Sequence, residues 1–274
     1  MAGQVVVDVQ GDYPGLQANA EAFLRNIEGR TADSLRRYAN TAETQVRKAL
    51  KALGYYRPTI TWQVVQPEED GKPPQLKLTV TPGEPVRVSS RVVEIRGAAR
   101  QDSEFKPNLP AHPAKDDVLD HGAYNALRQA IRNTASRLGY FDGHFSTRRL
   151  AVDPEKGSAD ITLIFNSGQR FRLGDVQFTG EHGFDTDLLD QFVTFEKGTV
   201  YHSDKIARLN SDLSNSGYFA SVDVNADPAN AEDGVIPVIV DLRNVDRRSV
   251  AAGIGFSTDV GPRLRGTWRE HWIN

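Results

Sequence analysis

The chain has 274 residues, with 33 Lys and Arg against 36 Asp and Glu for a net charge of -3, 39% apolar and 25% charged residues, and no cysteine. Such a chain has apolar material for more than one modest core, so it is folded and not of low complexity. Disulfides, thiol nucleophiles and Cys-ligated zinc are excluded, and the near-neutral balance gives no hint of the basic face that nucleic acid requires.

The longest strongly apolar run, Val235 to Val240, is interrupted by Pro237 and falls far short of the roughly 20 residues of a membrane-spanning helix. Met1 leads directly into Val5, Val6 and Val7 without a basic segment and apolar core, so an exported form is expected to have lost its signal.

Two motifs recur along the chain. Val7-Asp8-Val9-Gln10-Gly11, Val93-Glu94-Ile95-Arg96-Gly97 and Val176-Gln177-Phe178-Thr179-Gly180 place glycines 97 minus 11, or 86, and 180 minus 97, or 83, residues apart. Leu53-Gly54-Tyr55-Tyr56, Leu138-Gly139-Tyr140-Phe141 and Ser216-Gly217-Tyr218-Phe219 keep nearly the same step. Two independent motifs on one period indicate a tandem repeat.

The first repeat, residues 1–84, opens with a strand into Gly11. Leu16, Ala20, Phe23, Leu24 and Ile27 predict a helix opened by Pro14. Leu35, Tyr38, Ala39, Ala42, Val46, Ala49, Leu50 and Leu53 predict a second helix. Gly54 then stands at a left-handed C′ position, and Tyr55 at C″ packs back on the last turn. Strands over Pro58 to Val65 and Gln75 to Thr81 flank a polar loop at Glu68-Glu69-Asp70-Gly71.

The second repeat, residues 85–170, has a strand into Gly97. Pro107, Pro110 and Pro113 then leave room for only a turn or two near Gln101 to Phe105. Leu127, Ala130, Ile131, Thr134 and Leu138 predict a helix capped at Gly139, followed by strands over His144 to Val152 and Ala159 to Phe165.

In the third repeat, residues 171–245, Asp185 to Val193 predict a short helix. Ile206, Leu209 and Leu213 predict a longer one with Ser203 as N-cap and Gly217 as C′. Strands over Ala220 to Asn225 and Val235 to Leu242 follow, and Pro237 demands a bulge or a late start to pairing. Strand, helix, helix, strand, strand is an α+β pattern whose two helical stripes are buried on one face of a three-stranded sheet.

Residues 246–274 differ. Val250, Ala252, Ile254 and Phe256 alternate with Ala251, Gly253, Gly255 and Ser257. After a turn at Asp259-Val260-Gly261-Pro262, Leu264, Gly266 and Trp268 alternate with Arg263, Arg265, Thr267 and Arg269, with Trp272 beyond. This pattern suits the first two strands of a transmembrane barrel, and equally a soluble hairpin. Two strands close no barrel, so the first reading makes this chain the front of a longer protein.

With these residues in place, the chain resembles the polypeptide-transport-associated (POTRA) repeats that precede an outer-membrane barrel in Gram-negative bacteria. Within them it is most similar to the TamA family of translocation and assembly module subunits, relatives of BamA. Lys51-Ala52-Leu53-Gly54-Tyr55-Tyr56-Arg57-Pro58-Thr59-Ile60 is similar to the end of that family's first repeat. Ser257-Thr258-Asp259-Val260-Gly261-Pro262 with Trp268 and Trp272 resembles its first barrel hairpin. Three repeats suit this family, against five in BamA and two in two-partner secretion transporters.

The resemblance implies three tandem β-α-α-β-β POTRA domains and a truncated barrel, in the periplasm, with no enzymatic activity and no cofactor. It implies an inner-membrane-anchored TamB-like partner and unfolded outer-membrane protein or autotransporter clients, with attachment to the outer membrane through the missing barrel. A periplasmic docking scaffold, or the docking region of a two-partner secretion transporter, is the alternative.

Family likeness also makes Pro58 to Val65 an edge strand. An edge offers N–H and C=O groups to an extended segment of any sequence, and Thr59, Thr61 and Gln63 are the partner-binding candidates. Their plainer reading is the solvated side of a half-buried strand.

No catalytic, cofactor or metal residues are assigned. His112, His121, His144, His182, His202 and His271 show no metal-ligand spacing. Gly253-Ile254-Gly255 lacks the following helix of a phosphate cradle, and Asp116-Asp117 belongs to a loop.

Overall fold

A computed structural model describes residues 5–24, 30–66, 72–181, 183–244, 248–257 and 261–270. The first repeat holds β1 (Val5–Val9), α1 (Pro14–Phe23), α2 (Ala32–Ala52), β2 (Thr59–Val65) and β3 (Gln75–Thr81). The second holds β4 (Arg87–Arg96), a 3-10 turn (Ala98–Arg100), α3 (His121–Leu138), β5 (His144–Asp153) and β6 (Ser158–Asn166). In the third come β7 (Arg172–Thr179), α4 (Thr186–Asp190), α5 (Ser203–Asn215), β8 (Phe219–Asn225) and β9 (Val235–Asn244). β10 (Arg248–Ser257) and β11 (Gly261–Glu270) close the chain as an antiparallel hairpin, with Val250 opposite Trp268 and Ile254 opposite Leu264.

Each repeat folds its last strand into the centre. The sheet orders are β1-β3-β2, β4-β6-β5 and β7-β9-β8, with the first strand parallel and the second antiparallel to the central one. Central strands alternate so that one face is wholly apolar and buried: Leu76, Leu78 and Val80; Ala159, Ile161, Leu163 and Phe165; Ile236, Val238, Val240 and Leu242. In the first repeat α2 lays Leu35, Ala39, Ala42, Val46, Ala49 and Leu50 on that face, all at 0% exposure.

The fold is therefore mixed α+β, with three POTRA-like sheets and a C-terminal hairpin. Two compact units contain them. One comprises Met1–Arg96, Pro107–Arg132 and His144–Asn166; the other comprises Gly97–Lys106, Asn133–Gly143 and Ser167–Asn274.

Local detail sharpens three of the expectations. α1 stops at Phe23, because Leu24 turns extended (φ -87°, ψ 139°) and packs on the core itself, leaving Phe23 42% exposed; Ile27 lies outside the described residues. The N-cap of α5 is His202 and not Ser203: the His202 Nδ1 accepts the Asp204 N–H at 3.1 Å. The irregularity expected at Pro237 is present: opposite it β7 shifts register between Leu173 and Val176, and the antiparallel pairing of β9 with β8 starts only at Ile239.

The Pro-rich segment of the second repeat, after its single 3-10 turn, runs beside β4. Val88 exchanges backbone bonds with Asp116 and Asp117 (2.8 and 2.9 Å), and the Arg91 guanidinium donates to the carbonyls of Ala111 and Pro113.

Candidate functional site

β2 lies at one edge of its sheet. Ile60 and Val64 pack on the core, while Thr59, Thr61 and Gln63 are exposed on alternate positions. Trp62 and Val65 stay 38% and 39% exposed, so the edge also carries apolar surface. Its start is fixed by Arg47 of α2, which donates to the Pro58 carbonyl at 3.0 Å while held by Glu43 at 2.8 Å. An outer strand of this kind presents main-chain donors and acceptors to a segment that adds to the sheet.

The opposite edge is treated differently. In the second and third repeats the chain leading into α3 or α5 bonds to the start of the first strand. Val88 is covered as described above, and Leu173 bonds to Gly198 and Thr199 at 2.7 and 2.8 Å. Among the described residues β5 and β8, the equivalents of β2, carry no such cover.

The Gly-Tyr motif does more than cap a helix. Gly54 ends α2 at φ +91°, with its N–H on Lys51 O (3.1 Å) and the Tyr55 N–H on Leu50 O (3.0 Å), the paired bonds of a Schellman ending. Its own carbonyl then accepts the Val86 N–H at 2.9 Å, and the Val86 carbonyl accepts the Leu119 N–H at 2.8 Å. A Cβ at Gly54 would stand 2.5 Å from Leu119 O.

Gly139 repeats the arrangement. Its φ is +82°, and the Tyr140 N–H reaches Ala135 O at 2.8 Å. The Gly139 carbonyl accepts the Phe171 N–H at 2.9 Å, and the Phe171 carbonyl accepts the Tyr201 N–H at 2.9 Å. A Cβ there would stand 2.6 Å from Tyr201 Cβ. Sequence reasoning identified the cap and missed the joint. The signal was a constant spacing, since 86 minus 54 and 171 minus 139 both give 32.

Side chains make the two joints chemically different. At the first, the Tyr56 hydroxyl is 2.6 Å from His121 Nε2, and the Lys51 ammonium lies 5.3 Å from the centre of the Tyr56 ring. Burial, then the nearby Lys51 charge, lowers the His121 pKa below its ordinary value of 6.5.

At the second joint the Arg170 side chain, 13% exposed, donates to the carbonyls of Leu138 (2.7 Å) and Tyr201 (3.0 Å) and to the carboxylates of Asp102 (3.0 Å) and Glu104 (2.6 Å). The Tyr140 hydroxyl donates to Asp102 at 2.6 Å. Burial pushes Asp102 upward, but bonds from Tyr140, the Glu104 N–H and Arg170 outweigh it and hold the carboxyl below 3.8. Phe141 packs edge-on against Phe171 and Tyr201, with ring centres 5.5 and 4.9 Å away.

The third cap glycine departs from this pair. Gly217 has φ +77°, but no described atom lies within 4 Å of where its Cβ would be, and the Ser216 hydroxyl donates to the Leu213 carbonyl at 2.6 Å.

The remaining candidates fall to local duties. His112 pairs with Asp117 at 2.7 Å in the loop before α3, His202 caps α5, and His144 begins β5. His182, His271, Trp272, Asp259-Val260 and the Glu68 to Gly71 loop lie outside the described residues. Among the described residues no cluster of three His, Asp or Glu is placed to hold a metal, and no helix is long and apolar enough to cross a membrane.

A family model described as POTRA domain TamA domain 1 matches residues 6–82, and one described as POTRA, surface antigen variable number repeat, matches residues 171–244. Among solved structures, POTRA3-5 of BamA from Haemophilus influenzae is similar at 18% identity over 89% of this chain and 96% of that one, with a TM-score of 0.47. POTRA1-3 of the periplasmic domain of Omp85 from Anabaena is similar at 16% identity over 89% and 95%, with a TM-score of 0.30. CdiB from Acinetobacter baumannii is similar at 13% identity over 81% of this chain but only 40% of its own length, with a TM-score of 0.34. Residues 6–82 and 171–244 each match a POTRA family model, and the sheet of the second repeat has the same strand order as the sheets of those two.

Proposed function

We propose that this chain is the periplasmic, POTRA-bearing part of an outer-membrane protein assembly or secretion factor of the TamA type, and that it works by binding and not by catalysis. The first-repeat family match and the count of three repeats favour this reading over a docking region of the two-partner secretion type. In it, the hairpin of β10 and β11 is the beginning of the barrel wall. An inner-membrane-anchored TamB-like protein meets the first repeat, and unfolded outer-membrane clients, autotransporters among them, are received as extended strands.

The observation that carries the mechanism is the seven-residue outer strand β2, with exposed Thr59, Thr61, Gln63, Trp62 and Val65. Strand addition there uses main-chain bonds for affinity and asks little of client sequence. The test is a Thr61→Pro/Gln63→Pro double variant, because proline removes the N–H that an edge needs. The folded variant is expected to lose capture of the partner and of a photo-crosslinkable strand peptide. Undiminished capture by a folded double variant rules this edge out.

A further inference from the structure

The end of the third repeat is built as a joint whose second half lies a fixed distance ahead in the sequence. The two formed joints share more than the glycine. In each, the residue that donates to the glycine carbonyl also stands a constant five positions beyond the last paired residue of the central strand. Thr81 pairs with Thr59 and precedes Val86, and Asn166 pairs with His144 and precedes Phe171.

In the third repeat Asn244 is the last paired residue of β9, although its partner Phe219 stands two residues past Gly217 where Thr59 and His144 stand five past their glycines. Counting five from Asn244 gives Ser249, and counting 32 from Gly217 also gives 249. Two independent spacings therefore meet on one residue, and that residue lies in the first turn of pairing of β10.

Two further features point the same way. Outside the hairpin no described residue donates to the Gly217 carbonyl, and no described atom lies within 4 Å of where a Gly217 Cβ would stand. The Asn244 side-chain Oδ1 is buried without a hydrogen-bond partner among the described residues, at the position where the chain leaves the sheet. A buried amide oxygen of this kind calls for a donor.

We infer that the Gly217 carbonyl is the docking point for the start of the C-terminal hairpin, and that it takes the backbone N–H of Ser249 as Gly54 takes Val86 and Gly139 takes Phe171. The hairpin is then coupled to the third repeat by the same main-chain rule that couples the repeats to one another. This inference does not depend on the hairpin being part of a barrel.

The chain contains no cysteine, so engineered pairs report without background. A disulfide needs α-carbons within about 7 Å. In the 1–274 protein the pair Tyr218→Cys/Ser249→Cys is expected to oxidise as completely as the reference pair Tyr55→Cys/Val86→Cys, and more than tenfold faster than Tyr218→Cys/Gly253→Cys. Equal rates for positions 249 and 253, or no bond at 249 while the reference forms, overturn the inference. A second measurement needs no substitution: hydrogen-bond scalar coupling by NMR between the Gly217 carbonyl carbon and the Ser249 amide nitrogen is expected alongside the Gly54–Val86 and Gly139–Phe171 couplings. Its absence while both of those are seen also overturns it.

Discussion

The Gly54 and Gly139 joints share a backbone and differ in everything attached to it. Both use a left-handed glycine, a carbonyl accepting from a residue at the start of the next repeat, and a second bond back from the chain before the next helix. Over the first, the polar closure is one tyrosine and one histidine; over the second, a nearly buried guanidinium bonds to two carbonyls and two carboxylates. The pairing separates what fixes the geometry of a joint, which is main chain and a missing side chain, from what sets its strength and its response to pH.

The largest effect expected from breaking this comparison is steric. Valine at Gly54 or Gly139 would meet atoms at 2.5 and 2.6 Å on top of the left-handed backbone cost, so each is expected to lose at least ~3 kcal/mol in urea unfolding. Gly217→Val meets no described atom within 4 Å and is expected to bear the backbone cost alone, about 1–2 kcal/mol. Asparagine tolerates positive φ but still carries a Cβ, so it is expected to cost more at Gly54 or Gly139 than at Gly217, and equal losses at the three positions would show that crowding plays no part.

Next comes Arg170→Ala, expected to cost on the order of 3 kcal/mol because it strands the Asp102 carboxylate and two carbonyls. Arg170→Lys is expected to recover little of this, lacking the forked donors. Tyr56→Phe at the first joint removes one hydrogen bond and is expected to cost about 1 kcal/mol, measured by the same unfolding curves.

The smallest effect is a difference in pH response. His121 has a folded pKa below 6.5, so the unfolded chain binds the proton more readily. Its contribution is whole above pH 6.5 and falls as the pH drops below that value. Asp102 has a folded pKa below 3.8, so its contribution holds down to about that pH and is lost only in stronger acid. Between pH 7 and 5, protection from hydrogen exchange relative to the intrinsic rate at each pH is therefore expected to fall at the Val86 amide and stay unchanged at the Phe171 amide, and His121→Gln is expected to remove the difference.

Much of this was legible because periodicity and glycine chemistry are local. The stripe from Leu35 to Leu53, the alternation of Leu76, Leu78 and Val80, and the positive φ of Gly54, Gly139 and Gly217 follow from spacing and from the absence of a Cβ. What escaped was either a choice between adjacent residues or a non-local meeting. His202 caps α5 ahead of Ser203 because its ring nitrogen, and not a hydroxyl, faces the Asp204 N–H. Phe23 lost its place in the core to Leu24, since the helix ended one turn early. Arg170 has no pattern of its own; its importance depends on Asp102 and Glu104, Leu138 and Tyr201 meeting around it from three separate stretches of chain. The edge position of β2 follows from a sheet order that the family resemblance supplied and periodicity did not.

A joint written in carbonyl oxygens and a missing methyl places almost no demand on the amino acids of the module that follows. Any successor whose first strand begins at the right distance can plug in, whatever its side chains. Gain or loss of whole modules then requires no redesign of neighbouring surfaces, so an array of this type can lengthen or shorten by simple duplication or deletion while each new seam inherits a working fit.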